Sequence, residues 1–214
     1  NILLEGGAIG ANFLALYSIV EPGDKVISIV PTYQQLYSVP RSFGADVKLL
    51  RLKMDENWLP NLKELEKVVD DETKLIIINN PNNPTGSLIE NKMLNEICEI
   101  ANNVGAYLLS DESYRGIYVN PSNKVSSVVE LYDKGISTGS FSKPFSLTGL
   151  RLGWVSAKEE IIRLCEDRRD YTTISTGLLD DAIATLAVEN VEKINRRNNE
   201  IVQRNYKILS EWVN

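Results

Sequence analysis

The chain contains no histidine among its 214 residues. This absence excludes nucleophiles that imidazole activates, as in Ser-His-Asp and Cys-His systems. It also excludes zinc sites with imidazole ligands, and we predict no metal site of any kind. If the protein is an enzyme, its proton transfers must depend on lysine, tyrosine, carboxylates or a bound cofactor.

Cysteine, positive charge and long apolar runs are also scarce. Cys98 and Cys165 lie in amphipathic, helix-like contexts, so we interpret them as buried thiols in a reducing compartment such as the cytoplasm. A formal net charge of −6 argues against nucleic acids or an anionic membrane as partners. No apolar run approaches the ~20 residues of a transmembrane helix, and no signal-peptide pattern is present. Because the chain begins with Asn1, we interpret it as a piece of a longer polypeptide.

Short apolar runs alternate with helical patterns along most of the chain. Strands are predicted at residues 2–4, 25–30, 47–52, 74–79, 106–110, 135–140 and 152–156, and helices at 9–18, 33–43, 62–69, 90–104 and 158–167. Continuous rather than alternating apolar strands indicate a sheet that is covered on both faces. The pattern predicts a three-layer α/β sandwich around a mostly parallel, seven-stranded sheet. Two further predicted helices, at 178–189 and 191–213, follow without another strand.

Unusual polar residues follow three predicted strands. The strand KLIIINN enters a turn that its prolines make rigid and that presents Asn83. The next two strands end near Asp111 and Lys143. Because ligands of open α/β sheets bind beyond the carboxyl ends of strands, these residues predict a site. Taken singly, each also fits a simpler role, as a loop residue, a helix N-cap and a solvated lysine respectively.

The segment EGGAIGA predicts an anion site, because glycines there lead from a strand into a helix with free N–H groups. Neither the Rossmann nor the Walker A pattern matches, so a single phosphate monoester fits best. Arg151 could bind that phosphate bidentately and Ser140 could donate to it. Gly149 and Gly153 would let the backbone approach the ligand closely.

Tyr33 follows another predicted strand, where it can stack on a flat ligand or act as an ordinary core tyrosine. A flat phosphorylated ligand, a carboxylate, an amide donor and a nucleophilic lysine together describe pyridoxal 5′-phosphate (PLP). Lys143 would bond its aldehyde, and PLP would serve as the electron sink.

These motifs resemble those of the class I/II aminotransferases of PLP fold type I. The segments that carry the resemblance are EPGDKV at 21–26, P-x-Y at 31–33, NNPNNPTG at 79–86, SDESY at 110–114 and SFSKPFSLTGLRLGW at 140–154. Their order and spacing match along essentially the whole chain.

The resemblance implies catalytic roles for Lys143, Asp111 and Tyr114. Lys143 matches the lysine that forms the Schiff base and moves the substrate's α-proton. Asp111 matches the aspartate that keeps the pyridine nitrogen protonated. Tyr114 and Asn83 match the residues bonded to the ring 3′-oxygen, and Tyr33 matches the stacked aromatic ring.

The resemblance also implies a phosphate site. Gly7, Ala8 and Ile9 lie where backbone amides hold the phosphate, with Ser140 and Arg151 as its side-chain partners.

The implied function is transfer of an amino group from an amino acid to a 2-keto acid, through a lysine aldimine and pyridoxamine phosphate, in a cytoplasmic homodimer. Other fold-type-I PLP enzymes share these residues, so a C–S β-lyase, a decarboxylase or a cyclising synthase stays open. A non-catalytic PLP-binding regulatory domain is a further alternative.

Three departures from the family pattern matter. Members are about twice as long, so residues 1–190 are expected to be the large PLP-binding domain and 191–214 a connector helix towards an absent small domain; such a fragment is expected to be inactive. Ser113 replaces a common alanine, with little expected effect. Arg169, Asp170 and Tyr171 either line a specialised substrate pocket or are solvated residues at a helix end.

Overall fold

The computed structural model describes residues 1–120 and 122–213, and within these ranges the chain forms one seven-stranded sheet. The strands are β1 Ile2–Glu5, β2 Lys25–Val30, β3 Asp46–Arg51, β4 Thr73–Asn79, β5 Tyr107–Asp111, β6 Gly135–Ser140 and β7 Gly153–Ser156. All seven predicted strands are confirmed, with each end within one residue of its predicted position.

The strand order across the sheet is β1-β7-β6-β5-β4-β2-β3. Of these strands β7 alone is antiparallel, to both β6 and β1, while the remaining pairs are parallel. As a result β1 runs in the same direction as β6. The carboxyl ends of six strands and the amino end of β7 therefore lie along the same edge of the sheet.

The helices of the described ranges are α1 Gly7–Ile19, α2 Gln35–Ser42, α3 Leu62–Val68, α4 Asn91–Asn103, α5 Val128–Leu131, α6 Glu159–Arg169, α7 Leu178–Glu189 and α8 Val191–Val213. Each predicted helix is present, although α2 begins two residues later than predicted. The short helix α5 and the 3₁₀ turns Met54–Glu56 and Thr148–Leu150 were not predicted, because three or four residues show no helical period.

Apolar side chains on the two faces of the sheet form two separate cores. Helices α1, α2 and α6 pack on one face, and α3, α4 and α5 pack on the other. In β4, Ile76 belongs to the second core and its neighbour Ile77 to the first, so successive residues are buried on opposite faces. This arrangement explains the continuous apolar run and confirms the predicted three-layer sandwich.

Helices α7 and α8 cover the β7 side of the sheet. Ala184 and Ala187 of α7 pack against Phe141 and Leu152. The helix predicted at 191–213 is confirmed as α8, and Asn214, the last residue of the expected connector, lies outside the described residues. No helix in the described part of the chain is long and apolar enough to cross a membrane.

Both cysteines are buried thiols, as predicted. Burial raises the pKa of the Cys98 thiol to about 11 and also raises that of Cys165. These thiols therefore stay protonated and are poor nucleophiles.

Candidate active site

A cleft of about 290 Å³ opens at the edge where the strand ends meet. It is lined by Ala8, Ile9, Asn12, Tyr33, Asn79, Asn83, Asp111, Ser113, Tyr114, Ser140, Ser142, Lys143, Thr148 and Arg151. Nine of the ten predicted site residues are in this lining, and the tenth, Gly7, lies beside Arg151. Grooves of about 660 and 750 Å³ lie elsewhere on the described surface, but these residues converge here.

Asp111 ends β5 and is only 4% exposed, yet three donors meet its carboxylate. Oδ1 accepts hydrogen bonds from the backbone N of Ser113 at 3.0 Å and from its Oγ at 2.6 Å. Oδ2 accepts from Nδ2 of Asn12 at 2.8 Å. The hydroxyl of Ser113, at a position where the family commonly has alanine, thus contacts Asp111 directly.

The loop that carries Asn83 is fixed relative to β5. The backbone N of Asn83 donates to Oδ1 of Asn79 at 2.7 Å, and Nδ2 of Asn79 donates to the carbonyl of Asp111 at 2.8 Å. Burial, followed by the charge of Asp111, raises the pKa of the Tyr114 phenol. The phenol therefore stays protonated near neutral pH and can donate a hydrogen bond into the cleft.

Lys143 lies three residues beyond β6, and its exposed side chain lines the cleft. Its carbonyl accepts from the backbone N of Ser146 at 3.2 Å. Asn198 of α8 holds the same loop, donating to the carbonyl of Pro144 at 2.7 Å and accepting from Oγ of Ser146 at 3.0 Å. The accessible amine of Lys143 therefore lies on a loop that hydrogen bonds from α8 hold in place.

The amino end of α1 supplies free N–H groups at the other end of the cleft. No side chain in the described ranges caps this helix; the backbone N of Gly6 instead donates to Oε2 of Glu5 at 2.8 Å. Gly7 has φ +75°, and a Cβ there would lie 3.0 Å from Nη2 of Arg151. Gly7 thus suits both the turn and the close approach of the guanidinium.

Together with the amino end of α1, Arg151 and Ser140 form an anion-binding region at one end of the cleft. Nη1 of Arg151 donates to the carbonyl of Thr148 at 3.0 Å and to Oγ of Ser142 at 3.3 Å. Oγ of Ser140 accepts from the backbone N of Ser142 at 3.0 Å, which leaves its own proton available to donate. Amides, a guanidinium and a hydroxyl that converge in this way suit a phosphate.

Five lining residues were not predicted from the sequence: Asn12, Asn79, Ser113, Ser142 and Thr148. Asn12 could have been identified from the sequence, because it is a polar residue inside the apolar run of a buried helix. Ser142 and Thr148, on the Lys143 segment, show no pattern that would have identified them.

Other residues singled out in the sequence lie outside the cleft lining. Gly149 and Gly153 are not in it; a Cβ at Gly149 would meet no atom within 4 Å, whereas Gly153 permits close approach of the backbone of Gly7 and Ala8. Arg169, Asp170 and Tyr171 are also outside the lining. Tyr171 is 77% exposed, and Nη1 of Arg169 donates to the carbonyl of Leu4 at 3.3 Å, which agrees with the helix-end alternative.

Comparison with known proteins identifies the family. The family model for aminotransferase class I and II matches residues 1–211. The chain belongs to this family. The resemblance that the sequence motifs suggested is thereby confirmed.

Relatives of this aminotransferase-family chain include two curated enzymes and a crystal structure. An aspartate aminotransferase of Thermotoga maritima is 30% identical over 218 residues, covering 99% of this chain and 58% of that protein. The capreomycidine synthase of Streptomyces vinaceus is 28% identical, covering 99% and 54%. A PLP-dependent aminotransferase from Streptococcus suis 89-1591 superposes with a TM-score of 0.95 at 48% identity, covering 99% and 56%. The chain therefore spans little more than half the length of these relatives.

Proposed function

We propose that this chain binds PLP and belongs to an aminotransferase that moves an amino group from an amino acid to a 2-keto acid. The observation that carries the proposal is the convergence of Lys143, Asp111 and the α1 amino end in one cleft. The relatives from Thermotoga maritima and Streptococcus suis, both named as aminotransferases, support it.

The groups that line the cleft fit the chemistry of PLP. Its phosphate suits the free N–H groups of α1 together with Arg151 and Ser140. Its aldehyde needs a primary amine, which Lys143 supplies. Its ring nitrogen needs a carboxylate, which Asp111 supplies, and Tyr33 offers an aromatic face.

PLP, when bound, withdraws electrons from the α-carbon of an attached amino acid. The residues of the chain direct that chemistry. Nζ of Lys143 would bond the aldehyde carbon of the cofactor and, as a free amine, would be the base that removes the α-proton of the substrate. Asp111 would accept a hydrogen bond from the ring nitrogen and so favour its protonated form. Asn83 and Tyr114 would donate hydrogen bonds to the ring oxygen.

We further propose that residues 1–190 are the large, cofactor-binding domain and that 191–214 lead into a smaller one. The share of the relatives that the chain covers supports this division. A homodimer is proposed as well, because Ile9, Phe13 and Tyr17 of α1 are apolar side chains exposed near the cleft. The free buried thiols support a cytoplasmic location.

A trapping experiment tests the covalent role of Lys143. The protein is incubated with PLP and reduced with borohydride, and its peptides are mapped by mass spectrometry. The reduced cofactor should be found on Lys143, and the Lys143→Ala variant should lose this adduct. In the full-length protein the same substitution should also abolish amino transfer from a ¹⁵N-labelled amino acid. Lys158→Ala, at an exposed lysine outside the cleft, is the matched control. Labelling spread evenly over surface lysines would refute the proposal.

A second candidate is a cyclising synthase, because capreomycidine synthase aligns with 99% of the chain. The same cofactor residues would serve both reactions, since the substrate side decides which bond breaks. Product analysis separates them. In the full-length protein, a transferase forms more than one equivalent of keto acid only when an acceptor keto acid is supplied, whereas a cyclising synthase turns over without an acceptor. A full-length regulatory PLP-binding protein would show the Lys143 adduct without converting any amino acid.

A further inference from the structure

Asn12 lies at the centre of a buried polar network next to Asp111. Its side chain is fully buried in the otherwise apolar middle of α1. Its Nδ2 donates to Oδ2 of Asp111 at 2.8 Å, while its Oδ1 accepts from Oγ1 of Thr138 on β6 at 2.5 Å. A carboxylate only accepts hydrogen bonds, so the amide nitrogen must face Asp111. The Thr138 hydroxyl then holds the amide in that orientation.

A count of acceptor positions shows what this arrangement leaves free. An ionised carboxylate has about four acceptor positions, two on each oxygen. The backbone N and Oγ of Ser113 fill both positions on Oδ1, and Asn12 fills one on Oδ2. One position therefore remains on Oδ2, and Asp111 lines the cleft.

We propose that Asn12 is a positioning residue that turns Asp111 so that the remaining acceptor position of Oδ2 faces the ring nitrogen of the cofactor. This inference rests on the proposed PLP function and extends it to a residue outside the recognised motifs. Asn12 does not itself reach the reacting atoms; it acts through the carboxylate.

The same network reaches the other end of the cleft. Nδ2 of Asn12 lies 3.3 Å from Oε1 of Gln35, and Nε2 of Gln35 donates to the carbonyl of Ile9 at 2.7 Å. Gln35 begins α2, two residues after Tyr33, and Ile9 belongs to the first turn of α1. Asn12 therefore connects the carboxylate to the elements that carry the proposed stacking ring and phosphate amides.

Replacing Asn12 should weaken the interaction with the ring nitrogen specifically. Hydrogen bonds to charged groups are the stronger ones in proteins, so we expect Asn12→Ala to bind PLP roughly 10-fold to 100-fold more weakly. An analogue of PLP with carbon in place of the ring nitrogen cannot donate to Asp111. Its binding should therefore be weaker than that of PLP in the unmodified protein, and unchanged by the substitution.

The experiment measures dissociation constants of PLP and of this carbon analogue by equilibrium dialysis, for the unmodified protein and for Asn12→Ala. A loss confined to PLP supports the inference. An equal loss for both ligands, or no loss for either, overturns it. Ser18→Ala, a buried polar substitution in the same helix but outside the cleft, is the control and should bind both ligands normally.

A second variant covers the case in which Asn12→Ala does not fold, as judged by circular dichroism. Thr138→Val keeps the shape of the side chain and removes the hydroxyl that orients Asn12, so it should show a smaller loss, again for PLP alone. If it binds PLP as well as the unmodified protein does, the inference fails. If the unmodified protein neither binds PLP nor forms the Lys143 adduct, the proposed function itself fails, which is a distinguishable result.

Discussion

Replacing Gly153 with alanine should disturb the cofactor site through the backbone. Gly153 begins β7 and pairs with Glu5 of β1 and with Ser140 of β6. A Cβ at this position would lie 2.5 Å from the carbonyl oxygen of Gly139, 2.5 Å from the carbonyl carbon of Gly7 and 2.7 Å from the N of Ala8. These are backbone atoms, so no side-chain rotation can relieve the contact.

The size of the effect follows from this geometry. Moving the nearest atoms from 2.5 Å to the 3.4 Å of ordinary contact requires a shift of about 0.9 Å. Overpacking of a well-packed region costs about 1–3 kcal/mol. For a chain of this size that cost lowers Tm by about 2–12 °C. Because Gly7 and Ala8 begin α1, the same shift moves the amides proposed to hold the phosphate.

Thermal unfolding followed by circular dichroism, without and with a fixed excess of PLP, measures both consequences. We expect Gly153→Ala to have a lower Tm without PLP and a smaller increase in Tm when PLP is added, because stabilisation by a ligand depends on its dissociation constant. Gly149→Ala is the matched control from the same motif, since a Cβ there meets no atom within 4 Å. A Gly153→Ala variant with unchanged Tm and an unchanged response to PLP would refute the reasoning.

Two further predictions concern residues outside the cleft. Burial raises the pKa of the Glu112 carboxyl above its ordinary 4.5, so the folded chain holds this proton more tightly than the unfolded chain does. The stability of the unmodified protein should therefore fall relative to Glu112→Gln as pH rises from 4.5 through the folded pKa, as urea unfolding between about pH 4 and about pH 8 would measure; a difference independent of pH would contradict this. Asn198→Ala removes one buried and one partly buried hydrogen bond to the Lys143 loop and should cost about 1–3 kcal/mol, with faster hydrogen exchange in that loop. The exposed Asn190→Ala is its control, and equal exchange in both variants would argue against the contact.

The sheet and the positions of its strand ends could be predicted from the sequence because both depend on local pattern. Successive residues such as Ile76 and Ile77 are buried on opposite faces, so each central strand appears as a continuous apolar run. Asn83, Asp111 and Lys143 could be found for a related reason, since they stand at or within four residues of strand ends, where buried polar groups need a partner or a ligand.

The hydrogen bonds that hold these residues in position could not be predicted in the same way. Asn12 and Asp111 are 99 residues apart, and their hydrogen bond depends on how α1 crosses the sheet. The contact between Asn198 and Pro144 depends likewise on the placement of α8. Sequence pattern reports which side chains are buried, but the pairing of buried polar groups depends on packing between distant elements.

The groups of the proposed cofactor site come from separate elements that share one edge of the sheet. They are the amino end of α1, the segments after β2, β4 and β6, the end of β5, and Arg151, two residues before β7 begins. Helices α7 and α8 contribute no residue to the lining. Their influence is indirect, because Asn198 of α8 hydrogen-bonds to the carbonyl of Pro144 and to the hydroxyl of Ser146 in the loop that carries Lys143. Binding of the cofactor should therefore depend on the sheet, whereas the position of the amine also depends on α8.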